Sequence, residues 1–173
     1  METKKFTRLS LLLALSVVLN LIESMLPIFS GVIPGLKLGL ANIIILFVLY
    51  NYSFKDAMYL SILRVFLVGI LRTGLFSVSF FFSLGGAILS IIAMYLIKKF
   101  TKLSIIGISI VGSFFHSLGQ ILVACFMVEM TSMIYYLPLL LLFSIPTGII
   151  TGIITKELLK NFNGMEKNVE SYH

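Results

Sequence analysis

Seven polar or charged side chains interrupt stretches of this sequence that are otherwise built of Leu, Ile, Val and Phe: Glu23, Lys37, Asn42, Arg64, Arg72, His116 and Gln120. Their chemistry is that of holding a solute. Guanidinium forks match carboxylate or phosphate oxygens. An imidazole donates, accepts or titrates near neutral pH, and Asn and Gln each offer a donor and an acceptor. Ionisable groups are expensive at bilayer depth, so those that persist face a protein interior or a wet cavity. Basic groups outnumber acidic ones in this set, so the expected ligand is a small molecule with an anionic or polar end.

Bond-breaking chemistry finds little support. No glycine-rich loop ends in Lys-Ser or Lys-Thr, which removes the usual phosphate cradle. Asp56 is the only Asp, whereas handling diphosphates through magnesium calls for several carboxylates around the ion. No Ser, His and Asp can be gathered into one compartment. The single Cys125 lies in an apolar run, with neither a disulfide framework nor a metal-type spacing. The reading is therefore of a binding protein, with no catalytic residue, metal or cofactor expected.

These residues need an unusual scaffold. Of 173 residues 59% are hydrophobic and only 12% charged, and the mean hydropathy is +1.10; soluble domains have about 45–50% apolar and about 25% charged residues. An all-α integral membrane protein follows: a single domain over 1–173, drawn as a bundle of six transmembrane helices. The expected spans are 6–29, 38–52, 56–75, 78–97, 104–128 and 134–159. The second is short, so the Gly-Pro-Gly stretch before it is expected at membrane depth, with the 30–37 loop as a pocket wall. Such backbone is tolerated in the bilayer only where it is buried in protein or lines a cavity.

Basic residues set the orientation. Lys4, Lys5, Arg8, Lys55, Lys98, Lys99, Lys102, Lys156, Lys160 and Lys167 fall on one side of the spans, and only Lys37 and Arg72 on the other. This asymmetry predicts a multi-pass protein of the cytoplasmic membrane with both termini in the cytoplasm. It also accounts for the net charge of +6 without invoking nucleic acid as a partner. The first span carries Asn20 and Glu23 and is read as a retained helix rather than a signal peptide.

Periodicity refines the picture. Ser109, Gly112, Ser113, His116, Ser117 and Gln120 share one face of the fifth span, and Glu23 shares a face of the first with Asn20 and Ser24. Ser61 and Arg72 are eleven residues apart and project in nearly one direction. Ser144, Gly148 and Gly152, and Ser83, Gly86, Ala87 and Ser90, form small-residue faces that allow close helix approach. Two uses stay open for these faces: packing within the monomer, or docking of a partner membrane protein.

Several ordered motifs carry a family likeness: Pro34-Gly35-Leu36-Lys37-Leu38-Gly39-Leu40-Ala41-Asn42, Ser61-Ile62-Leu63-Arg64-Val65, Ser83-Leu84-Gly85-Gly86-Ala87, His116-Ser117-Leu118-Gly119-Gln120 and Tyr136-Leu137-Pro138. Across most of its length the chain resembles a bacterial membrane family known as Gx transporter and also as heptaprenyl diphosphate synthase component I. That family is in turn similar to the substrate-binding S components of energy-coupling factor (ECF) vitamin transporters. The resemblance implies six helices that capture an anionic or vitamin-like molecule from outside, working with a transmembrane coupling subunit and ATPase subunits. It further implies that Ser10, Ala14 and Val18 form the coupling-subunit face of the first span. The usual pattern there is Ala-xxx-Ala, so Ser10 departs mildly and Val18 more. The synthase label implies instead a non-catalytic membrane partner in prenyl-chain synthesis, because the paired aspartates of prenyl transferases are absent. A carrier acting alone on a proton gradient through Glu23 and His116 is a third expectation, although six spans without an internal repeat match repeat-built transporters poorly.

Overall fold

The computed structural model describes the backbone of residues 2–25, 39–128 and 137–171. Lys37, the 30–37 loop and Tyr136 lie outside these residues. Among the described residues six α-helices follow one another: α1 (Glu2–Met25), α2 (Leu40–Asn51), α3 (Phe54–Val68), α4 (Val78–Phe100), α5 (Ile105–Val128) and α6 (Leu137–Ser171). A π-helical turn, Gly69–Thr73, continues α3 directly. Each expected span corresponds to one helix, but four of them (α1, α4, α5 and α6) are long and apolar enough to cross a membrane. Twenty-three or more residues reach about 35 Å, past the roughly 30 Å of a hydrocarbon core. The 12 residues of α2 cover only about 18 Å, and α3 carries Lys55, Asp56 and Arg64.

The shortness of α2 follows from its place. Ile43 to Leu49 are buried without interruption, the pattern of a helix enclosed on all sides rather than one with an outer face. Ala57 and Leu60 of α3, Ile91 and Met94 of α4, Ile108 of α5 and Leu159 of α6 close around it. α2 is thus the axis of the bundle.

Around it, α4, α5 and α6 approach through glycine. A Cβ added to Gly119 would lie 2.6 Å from the Gly85 carbonyl oxygen, and one on Gly152 2.7 Å from Ile106 Cα. The small-residue faces of α4 and α6 therefore pack within the chain, against α5. Hydroxyls lock the contacts: Ser90 donates to the Gly112 carbonyl at 2.8 Å, and Ser109 and Thr151 share a hydrogen bond of 2.7 Å.

The two ends of the bundle differ in chemistry. At one end Ser53 and Asp56 form a reciprocal cap for α3, Lys5 pairs with Asp56 at 2.8 Å, and Lys98 donates to the Leu49 carbonyl at 2.7 Å. The opposite end carries Glu23, the start of α2 and the π-turn.

Candidate functional site

Between the helices, towards the end away from the lysines, lies a cavity of about 50 Å³. Glu23, Asn42, Arg64, His116 and Gln120 all line it, so five of the seven expected residues converge. One water needs about 10–15 Å³ of such space, and drug-sized ligands occupy about 300–1,000 Å³. The cavity in this form accommodates a few waters or the end of a solute.

Arg64 is the central charge. α3 buries it to 3% exposure, where its guanidinium donates to Asn42 Oδ1 at 3.3 Å. Its buried Nε has no hydrogen-bond partner among the described residues. The negative charge of Glu23 reaches it through space. Glu23 is itself committed to α2: its carboxylate accepts from Gly39 N at 2.6 Å and from Leu40 N at 3.2 Å. Gly39 begins the helix at φ 76°, a left-handed conformation that glycine adopts without steric cost, and it has no side chain with which to cap. A carboxylate from α1 satisfies these first amides and complements the positive end of the helix.

α5 presents His116 from its midpoint and Gln120 one turn on, with Ser113 and Ser117 beside them. Gly86 of α4 makes the room: a Cβ there would meet Gln120 Cγ at 2.9 Å and His116 Cε1 at 3.1 Å.

Arg72 is placed elsewhere. It is exposed and donates to the Ser24 carbonyl at 3.2 Å, while Thr73 lines the cavity instead. The π-turn is the reason. Val68 lines the cavity and the next residue on its side of an α-helix is residue 72, but a turn closed by i→i−5 bonds inserts one extra residue. The cavity-facing position therefore passes from residue 72 to residue 73. Gly69 opens this turn and lets the Phe80 ring approach to where a Cβ would be 2.9 Å away.

The family model described as "Heptaprenyl diphosphate synthase component I" matches residues 12–158, which include every described cavity residue. The chain belongs to that family. No curated protein matches it, and no solved structure does either.

For this member of the heptaprenyl diphosphate synthase component I family, several cavity residues were not singled out by their sequence. Ser83 and Ser144 had the appearance of packing residues, yet both line the cavity, as do Thr73 and Thr147. Thr147 lies three residues after Ser144 on the same helical face, the one signal that pointed to it. Val65, Val68, Phe80 and Leu140 supply apolar walls. Among the described residues no group of three His, Cys, Asp or Glu is placed to share a metal ion. The assembled equipment is one permanent cation, one carboxylate engaged at the start of α2, one imidazole, amides and hydroxyls: a set that holds and orients a polar group. On α1, Ser10, Ala14 and Val18 are all exposed, on the helix face turned away from the bundle.

Proposed function

We propose that this protein is a solute-binding membrane subunit, capturing a small anionic or vitamin-like molecule from outside the cell and releasing it inward with an ATP-driven module. The observation that carries the reading is Arg64: a guanidinium 3% exposed, with an unpartnered Nε, beside a cavity walled by amides and hydroxyls. A buried cation is costly unless something compensates it. Glu23 offsets Arg64 through space while its carboxylate is bonded to the start of α2, and an anionic group in the cavity would pair with the guanidinium directly. The cavity seats the charged end and leaves the remainder of the molecule outside it. In this reading all six helices lie in the cytoplasmic membrane with both termini in the cytoplasm, as the lysine bias favours, and the cavity end faces outward. The exposed Ser10, Ala14 and Val18 offer the face for a transmembrane coupling subunit.

The test is native mass spectrometry of protein extracted gently from its own membrane. Wild type retains a small molecule and companion subunits, and Arg64→Ala and His116→Ala lose the small molecule while inserting normally. Normal retention in both variants would reduce these residues to structural roles.

The family's description supports a second reading, a non-catalytic membrane component of a prenyl diphosphate synthase. That reading requires co-purification with an Asp-rich soluble prenyltransferase whose rate or product length changes when this chain is removed. An importer subunit instead co-purifies with ATPases, and uptake stops when ATP hydrolysis is blocked.

A further inference from the structure

A second recess lies at the lysine-bearing end, where α2 ends, α3 begins and α4 finishes. It measures about 280 Å³ and is lined by Leu49, Tyr52, Phe54, Tyr95, Lys98 and Lys99. The solute cavity is at the N-terminal end of α2 and this recess at its C-terminal end, about 18 Å apart along the helix.

We propose that this recess is a binding site for the doubly charged head group of a membrane-resident lipid, a phosphomonoester or diphosphate, held by Lys98 and Lys99 between Tyr52 and Tyr95. Two of the six lining side chains are cationic and none is acidic. The nearby acid, Asp56, is already paired with Lys5. Lys98 is held in place rather than waving in solvent: its ammonium donates to the Leu49 carbonyl at 2.7 Å and sits 4.3 Å from the centre of the Tyr50 ring. An ammonium has three donors, so two remain for a ligand, and their direction is set in advance. Preorganisation of this kind lowers the entropic cost of binding.

Capping the last carbonyls of α2 would by itself explain the contact of Lys98 with Leu49. It does not explain a recess kept open beside two adjacent like charges. Its aromatic side is packed ring on ring, with Phe54 and Tyr95 4.3 Å apart and tilted by 32°. Two lysines balance the charge of about −1.5 to −2 on a phosphomonoester better than the single charge of a phosphodiester. The source is a lipid because apolar surface flanks the site. Leu96 is 44% and Phe100 74% exposed on the same helix end, the surface an acyl or prenyl chain would follow. With the orientation proposed above, this end meets the cytoplasmic leaflet, where anionic lipids attract basic segments.

The experiment uses the full chain in phosphatidylcholine nanodiscs containing equal small fractions of phosphatidic acid and phosphatidylglycerol, with retained lipid read by native mass spectrometry. Wild type is expected to keep phosphatidic acid over phosphatidylglycerol. The double variant Lys98→Gln, Lys99→Gln is expected to keep it about 30-fold less, taking one lysine's contribution near the membrane for each charge lost. Lys102→Gln, at the same end but outside the recess, keeps it fully, and so does Arg64→Ala, which separates this site from the solute cavity. Unchanged helicity and elution confirm that the variants fold. Equal retention of the two lipids by wild type, or an equal loss in Lys102→Gln, would overturn the proposal in favour of diffuse charge attraction. Binding of inorganic diphosphate with no lipid retained would overturn the lipid assignment.

Discussion

Replacing Glu23 tests whether one carboxylate holds two distant parts of the bundle together. It is 7% exposed, caps Gly39 N and Leu40 N from another helix, and lends its charge to Arg64. Glu23→Gln keeps one carbonyl oxygen for an amide but loses the charge, and should cost about 1–2 kcal/mol, the worth of a helix cap. Glu23→Ala leaves two amides of α2 without acceptors and removes the nearby compensation for Arg64. At about 1.5–3 kcal/mol for a hydrogen bond to a charged group, its cost should reach roughly 3 kcal/mol or more. For a chain of this length that is a fall of about 6–12 °C in the unfolding midpoint, at about 2–4 °C per kcal/mol. Heating detergent-solubilised protein and following the monodisperse fraction gives the midpoint. Adding Arg64→Met completes a double-mutant cycle, in which the double variant should be more stable than the summed single costs by about 1 kcal/mol, since groups in one electrostatic network couple by roughly 0.5–3 kcal/mol. An alanine variant that melts with wild type, or strictly additive costs, would refute the reasoning.

Gly152→Leu should separate α5 from α6, because even its first carbon would sit 2.7 Å from Ile106 Cα. Overpacking of this kind costs about 1–3 kcal/mol, read in the same melting assay, and a wild-type midpoint would show that the helices can part freely. The π-turn makes a sharper statement about binding: Thr73→Val should weaken retention of the captured solute several-fold, while Arg72→Ala leaves it within twofold. The reverse ranking would mean that the face of α3 continues through residue 72.

Much of this architecture was legible in the sequence, and the reason differs from element to element. The α5 face of Ser113, His116, Ser117 and Gln120 was readable because an uninterrupted helix preserves its periodicity. Helix limits came within a few residues where apolar runs end, but α6 runs on to Ser171, well past the expected end at 159. Hydropathy marks where lipid stops, not where hydrogen bonding does, and polar Lys156, Glu157 and Lys160 continue a helix readily. The depth of Arg64 was likewise evident from its distance into the third span. The outward placement of Arg72 was not, since one inserted residue in a π-turn leaves no mark on composition or spacing. Nor did Glu23 announce itself as the cap of α2, because that bond joins residues sixteen or seventeen apart in sequence and depends on how α1 and α2 lie.

By itself the chain determined a helical, membrane-type protein with few polar residues in its apolar runs, since hydropathy and helical period are properties of neighbouring residues. It also marked the small-residue faces of α4 and α6 as places of close approach, because glycine and serine at four-residue spacing let backbones touch whatever the partner; that the partner is α5 came from the structure. Only the tertiary structure decided that α2 is an enclosed axis, that Ser83, Ser144, Thr73 and Thr147 join His116 and Arg64 around one cavity, and that Lys98 and Lys99 frame a second recess. Those facts depend on where separate helices cross, and a crossing is set by the summed fit of many side chains rather than by any local stretch.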